Sequence, residues 1–208
     1  MAGLDSAARC DEAAWKAAWV AREVPALQWT MTQTLDKYAR DWALWRSFAT
    51  INCSAAIHLF DSGDPMLLFP AATLGHHALE MHLKSVLILN GMTACDPRKV
   101  KHLDPSIGLT ESDCVWGHEL VKLGTLLATT TPHFKMDMDL PFIGLLTEPE
   151  PITVERGLAI FDPFFTELRY PQEAKLVNDL GPEHKILLEM LVKAIQHARG
   201  MCRVAGLP

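Results

Sequence analysis

Apolar residues recur along this chain at three- and four-residue steps, the period of an amphipathic helix, and no alternating stretch is long enough to make a convincing strand. Trp42, Trp45, Ala49, Cys53, Ala56 and Phe60 form one stripe of a helix predicted over about 32–60. The sequence Asp61-Ser-Gly-Asp-Pro65 breaks it, and Asp64 before Pro65 makes a cap and first-turn pair for the next segment. That segment runs to Asn90, with Leu79, Leu83, Val86 and Leu87 on one face and Gly91 placed as a left-handed cap. Pro70 either kinks its start or marks its true beginning. Upstream, residues 5–22 carry Trp15 and Trp19 four apart, hence on a shared face, before Pro25 ends the segment.

The second half is more broken. Residues 93–116 are polar, hold Pro97 and Pro105, and read as a long loop with one turn of helix. A helix over 118–128 turns Leu120, Leu123 and Leu127 to the core. A loop through Pro132, Pro141, Pro149 and Pro151 follows, with Phe142 to Thr147 as a short helix or an extended piece. Residues 153–169 are helical in part and interrupted at Pro163. Gly181-Pro182 opens a last helix to about Arg199, striped by Ile186, Leu187, Met190, Leu191, Ala194 and Ile195 and stopped at Gly200. The total is five or six helices, an all-α bundle over 31–208 with a helical extension over 1–30.

Composition narrows this picture. With 208 residues, 49% of them hydrophobic, the chain can bury a real core. Its longest apolar runs fall short of a membrane span, and MAGLDSAARCDEAAWKAAW is not a secretory signal. Cys10, Cys53, Cys95, Cys114 and Cys202 are odd in number and make no CxxC pair, so they read as reduced thiols in a cytoplasmic protein. A net charge of −6 argues against a broad phosphate-binding surface, though not against a small basic groove. The basic run from Arg98 to His102 reads as a solvated loop. Trp15, Trp19, Trp29, Trp42 and Trp45 crowd the N-terminal quarter, which either packs back onto the long helix or forms a dimer face.

The polar groups of residues 75–92 raise the question of a site. Glu80 and Lys84 stand four apart with the acid first, the order that favours a surface ion pair of about 0.3–0.5 kcal/mol. His76 and Glu80 could share a metal, but no second helix offers a matching pair. His118 and Glu119 diverge by about 100° around a helix. No metal or cofactor is therefore expected. His76, His77 and His82 read as surface or interface residues. Arg169 offers a planar fork for phosphate or carboxylate, and Tyr170 beside it could stack on a base. The competing reading pairs Arg169 with a buried acid such as Glu80 and gives it a packing role. His118, behind Gly117, either contacts a ligand or links two helices through a hydrogen bond.

The order of these features carries a resemblance. Ala78, Glu80, Leu83, Lys84 and Leu87 are followed by Asn90-Gly91, then by Gly117-His118-Glu119-Leu120, then by Leu168-Arg169-Tyr170-Pro171, and last by a long amphipathic helix. Over about 35–200 this resembles the HEPN superfamily of helical domains. The resemblance implies a helical bundle that commonly dimerises, often in bacterial toxin–antitoxin or defence systems. It also implies a nucleotide, an RNA or a protein such as a minimal nucleotidyltransferase as partner. Some members are metal-independent ribonucleases with an Arg and a His separated by four to six residues. Here Arg169 has no histidine before His184, and Arg98 and His102 are too close. The expectation is a non-catalytic binding module with Arg169, Tyr170, Glu80, Lys84 and His118 as ligand-binding candidates. The alternatives are a ribonuclease using His118 or His102, and a structural homodimer.

Overall fold

A computed structural model describes residues 39–102, 108–141, 152–165, 180–181 and 183–204. Those residues are mostly helical. They form α1 (Trp42–Asp61), α2 (Leu68–Leu89), α3 (Leu120–Thr130), α4 (Val154–Phe161) and α5 (Glu183–Val204). The predicted helix over 5–22, Trp15, Trp19, Trp29 and Phe142 to Thr147 lie outside the described residues.

The helix ends follow local chemistry. Asp41 caps α1 by accepting from the Leu44 N–H at 3.0 Å. Asp64 accepts from the Met66 N–H at 2.9 Å and opens the 3₁₀ turn Pro65–Leu67, as its place before Pro65 predicts. α2 starts at Leu68, so Pro70 sits in the first turn, where a missing N–H costs nothing. At its far end the Met92 N–H reaches Leu87 O at 3.1 Å and the Gly91 N–H reaches Ile88 O at 3.0 Å. With Gly91 at φ +95°, this is a Schellman closure.

Three boundaries differ from the sequence reading. α1 begins at Trp42, so the helix predicted over about 32–60 does not run unbroken through its cap, Asp41. α3 begins at Leu120 with Glu119 as cap, so His118 stands just before the helix. α5 does not stop at Gly200 but runs on to Val204. Gly200 has no positive φ, and a glycine inside a helix costs only about 1 kcal/mol against alanine, which the flanking turns can absorb. Pro163 does end α4 as expected, and the chain continues as the 3₁₀ turn Asp162–Phe165.

α2 is the centre of the assembly. It packs against α1, α3, α5, α4 and the Asp162–Phe165 turn. Its leucines Leu79, Leu83 and Leu87 are fully buried, each contributing about 1.5–3 kcal/mol of transfer free energy. Burial extends around the helix and takes in His76, Glu80, His82, Lys84 and Ser85. The reading of Glu80 and Lys84 as a surface ion pair, and of His76 and His82 as surface rather than core residues, is thus corrected. Four other helices contact α2 and cover most of its circumference, which encloses these polar residues and leaves His77 with a side chain 31% exposed. Gly75 permits a close approach of α4 and α5 to α2. A Cβ there would lie 2.9 Å from Phe161 Cε1 and 3.3 Å from Leu188 Cδ2.

The segment between α2 and α3 is more ordered than a polar loop suggests. β1 (Thr93–Ala94) and β2 (Cys114–Val115) pair in parallel with Thr93 opposite Cys114 and Ala94 opposite Val115. Strands of two residues leave no alternation to read. Cys95 and Cys114 are joined in a disulfide, with Cα atoms 5.4 Å apart, which corrects the reading of all five cysteines as thiols. Closing a loop with a separation of 19 residues is worth about 3 kcal/mol on the chain-entropy account. Cys53 is a buried thiol. The Arg98 side chain is 80% exposed and grips Asp96 through two 2.9 Å bonds, as the solvated reading expects of that residue. Trp42 and Trp45 pack on the core, whereas Trp116 is exposed. Among the described residues no helix is long and apolar enough to cross a membrane.

Candidate functional site

The buried carboxylate of Glu80, 4% exposed, gathers the polar groups of α2 and one residue from outside it. One turn on, Lys84 Nζ donates to Glu80 Oε1 at 2.6 Å. Lys84 is itself buried, and its ammonium lies 5.5 Å from the centre of a Trp45 ring. His118 Nδ1 lies 2.9 Å from Glu80 Oε2. An ionised carboxylate only accepts, so Nδ1 carries the proton and donates. His77 Nδ1 and His76 Nε2 stand farther from Oε2, at 3.7 and 4.0 Å.

Burial opposes the charge of Glu80. The His77 ring, the Lys84 ammonium and the His118 N–H outweigh it and hold the carboxyl down to about 2. The His77 distance is too long for a hydrogen bond, so we assign the pull chiefly to the short contacts of Lys84 and His118. Glu80 is therefore a fixed anion at neutral pH.

His76 is fully buried. Its Nδ1 lies 2.9 Å from the Phe161 carbonyl, which only accepts, so Nδ1 is the donor and Nε2 holds the lone pair. Burial lowers the His76 pKa despite the Phe161 carbonyl and nearby Glu80, and keeps the ring neutral. The link ties α2 to the end of α4 at the point where Gly75 lets Phe161 approach.

Phe165 completes the cluster. Its ring stacks on His118 at 4.2 Å between centroids and 17° between planes, lies near-parallel to His76 at 5.5 Å, and meets His77 edge-on at 5.4 Å. The turn that carries Phe165 also fixes α3, because Asp162 Oδ1 accepts from the Leu120 N–H at 2.6 Å. His118 is thus held by a carboxylate at Nδ1 and by an aromatic face. Its side chain remains 49% exposed, and among the described residues nothing bonds its Nε2. A neutral imidazole so arranged can accept a proton, or a hydrogen bond, from something arriving through solvent.

Glu80, Lys84 and His118 are therefore brought together. Arg169 and Tyr170 lie outside the described residues, as does the suggested pairing of Arg169 with Glu80. Among the described residues no group of three or more His, Cys, Asp or Glu is arranged to hold a metal ion. Sequence reasoning missed Phe165, for which Pro163 marks only the break in the helix. It also missed the disulfide. No family model, curated relative or solved structure matches this chain.

Proposed function

We propose that the chain is a cytoplasmic HEPN-like helical module that binds a nucleotide or a short RNA beside His118 without cleaving it. A toxin–antitoxin or defence setting and a homodimer belong to the same reading. The single observation that carries it is the half-exposed His118 ring, anchored by Glu80 and stacked on Phe165. A carboxylate-anchored imidazole offers a hydrogen bond of fixed direction, and the adjoining phenyl face suits a base. Buried Lys84 holds Glu80 ionised rather than touching the ligand, whereas Arg169 and Tyr170, four and five positions beyond Phe165 in sequence, supply phosphate and stacking contacts. A thermal-shift screen against nucleotides and short RNAs tests this. At a hundred times its Kd a ligand adds about 2.7 kcal/mol of stability, and His118→Ala and Arg169→Ala should each abolish the shift. A shift that survives both substitutions excludes this site.

A second reading is favoured by the Glu80–His118 bond itself. A carboxylate that fixes Nδ1–H makes Nε2 the basic atom, the arrangement of a general base. Such a base could take the proton of a ribose 2′-hydroxyl as its oxygen attacks the adjacent phosphorus, expelling the 5′-oxygen, which takes a proton from solvent, and leaving a 2′,3′-cyclic phosphate. Cleavage of RNA in EDTA, lost in His118→Ala, would establish this metal-independent ribonuclease over the binding module.

A further inference from the structure

Two anchors hold the short stretch that carries His118. On its C-terminal side the fully buried Leu120 is fixed through its N–H to Asp162. On its N-terminal side lies β2, held by a two-residue pairing with β1, a weak tie by itself, and by the buried side chain of Val115. The covalent part of that tie is the disulfide from Cys114, at the head of β2, to Cys95, just past β1. β1 in turn leaves the Gly91 cap of α2, the helix that bears Glu80. The disulfide therefore joins the His118 stretch to the end of the helix that holds its partner. Between Cys114 and His118 stands Gly117 at φ +93°, with no atom within 4 Å of a Cβ built on it. It provides a joint free to turn once the strand is released.

We propose that the Cys95–Cys114 bond is a redox latch that seats His118 on Glu80, and that reduction by a dithiol unseats it. The seating is independent of any ligand. Only its effect on binding rests on the function proposed above.

The chemistry is ordinary thiol–disulfide exchange. Cys95 is 5% exposed and Cys114 more open, so the incoming thiolate attacks the Cys114 sulfur. The Cys95–Cys114 bond breaks, and Cys95 leaves as a thiolate that takes a proton. The second thiolate of the dithiol then displaces Cys114 from the mixed disulfide, and Cys114 is protonated in turn. The dithiol ends as a disulfide and the protein gains two electrons and two protons. The buried Cys53 thiol takes no part.

The test uses the full chain labelled with ¹⁵N, before and after treatment with dithiothreitol, with thiols counted in both states. Imidazole nitrogen signals report which nitrogen of His118 holds the proton. In the oxidised protein they should show Nδ1–H. In the reduced protein they should shift to the averaged values of a ring in free exchange, while helix content by circular dichroism is unchanged. The Cys95→Ser, Cys114→Ser double variant should give the reduced pattern without reductant and ignore its addition. Should that variant fail to fold, the titration of the native chain decides alone. Signals unchanged after both thiols are counted overturn the latch, as does loss of helix content on reduction, which makes the bond a fold staple. Nucleotide binding is measured alongside. Binding equal in the two states overturns regulation by the latch. Binding in neither state, with His118 signals that still move, removes the proposed function and leaves the latch in place.

Discussion

His118 donates to Glu80 across 2.9 Å although 38 positions separate them in sequence. The bond joins a residue outside any helix to the central one, and it reaches a carboxylate that Lys84 already neutralises. Because both charges of that neighbouring pair are buried, removing one strands the other.

Lys84→Met should therefore cost about 3–5 kcal/mol, the usual penalty for breaking a buried pair. Glu80→Gln should cost a similar amount. The Glu80→Gln, Lys84→Met double variant should lose much less than the sum. Urea unfolding of the four proteins gives the coupling directly, and additive losses would show that the two charges do not depend on one another.

Stability should fall with acid in two windows. Burial, reinforced by Arg46 and Arg199, lowers His82 to about 4 from an ordinary 6.5. Between those values the unfolded chain binds the extra proton, so this contribution is complete above pH 6.5 and is lost as pH falls towards 4. Glu80 is lowered from 4.5 to about 2, so its contribution is complete above pH 4.5 and is lost towards pH 2. His82→Leu should shrink the upper window and leave the part that buried His76 contributes, whereas Glu80→Gln should flatten the lower window, in unfolding curves recorded from pH 8 to 2.

Gly75→Ala should destabilise by about 1–3 kcal/mol, the range for overpacking a filled core. The added methyl meets the ring of Phe161, itself fully buried and without room to retreat. Thermal unfolding checks this. A neutral outcome would mean that α4 can slide away from α2.

Asp162→Ala should remove the bond to the Leu120 N–H at the start of α3. A hydrogen bond to a charged acceptor contributes about 1.5–3 kcal/mol, and amide exchange at Leu120 should quicken in proportion. Exchange at Met92, closed by Leu87 at the other end of the His118 segment, should not change.

The sequence displayed the bundle where its stripes were long. Cys53, Ala56 and Phe60 of α1, and Leu187, Leu191 and Ile195 of α5, are buried as their spacing predicts. The caps at Asp64 and Gly91 were equally legible, since each depends on near neighbours alone. The site was legible only in part. Glu80, Lys84 and His118 were recognisable as candidates, but periodicity cannot report how many helices surround α2, and that number decides whether Glu80 is wet or enclosed. Phe165 and the Cys95–Cys114 bond depend on contacts between distant parts of the chain, which no local pattern encodes.

The pairing of β1 with β2 also brings the two ends of the intervening chain together. With Cys95 and Cys114 only 5.4 Å apart at their Cα atoms, the chain between them begins and ends at nearly the same point. Lengthening such a path costs little, since closure entropy grows only with the logarithm of its length. A fluorescent reporter or affinity peptide grafted there would leave the helices in register, which recommends this stretch as the place to instrument the protein.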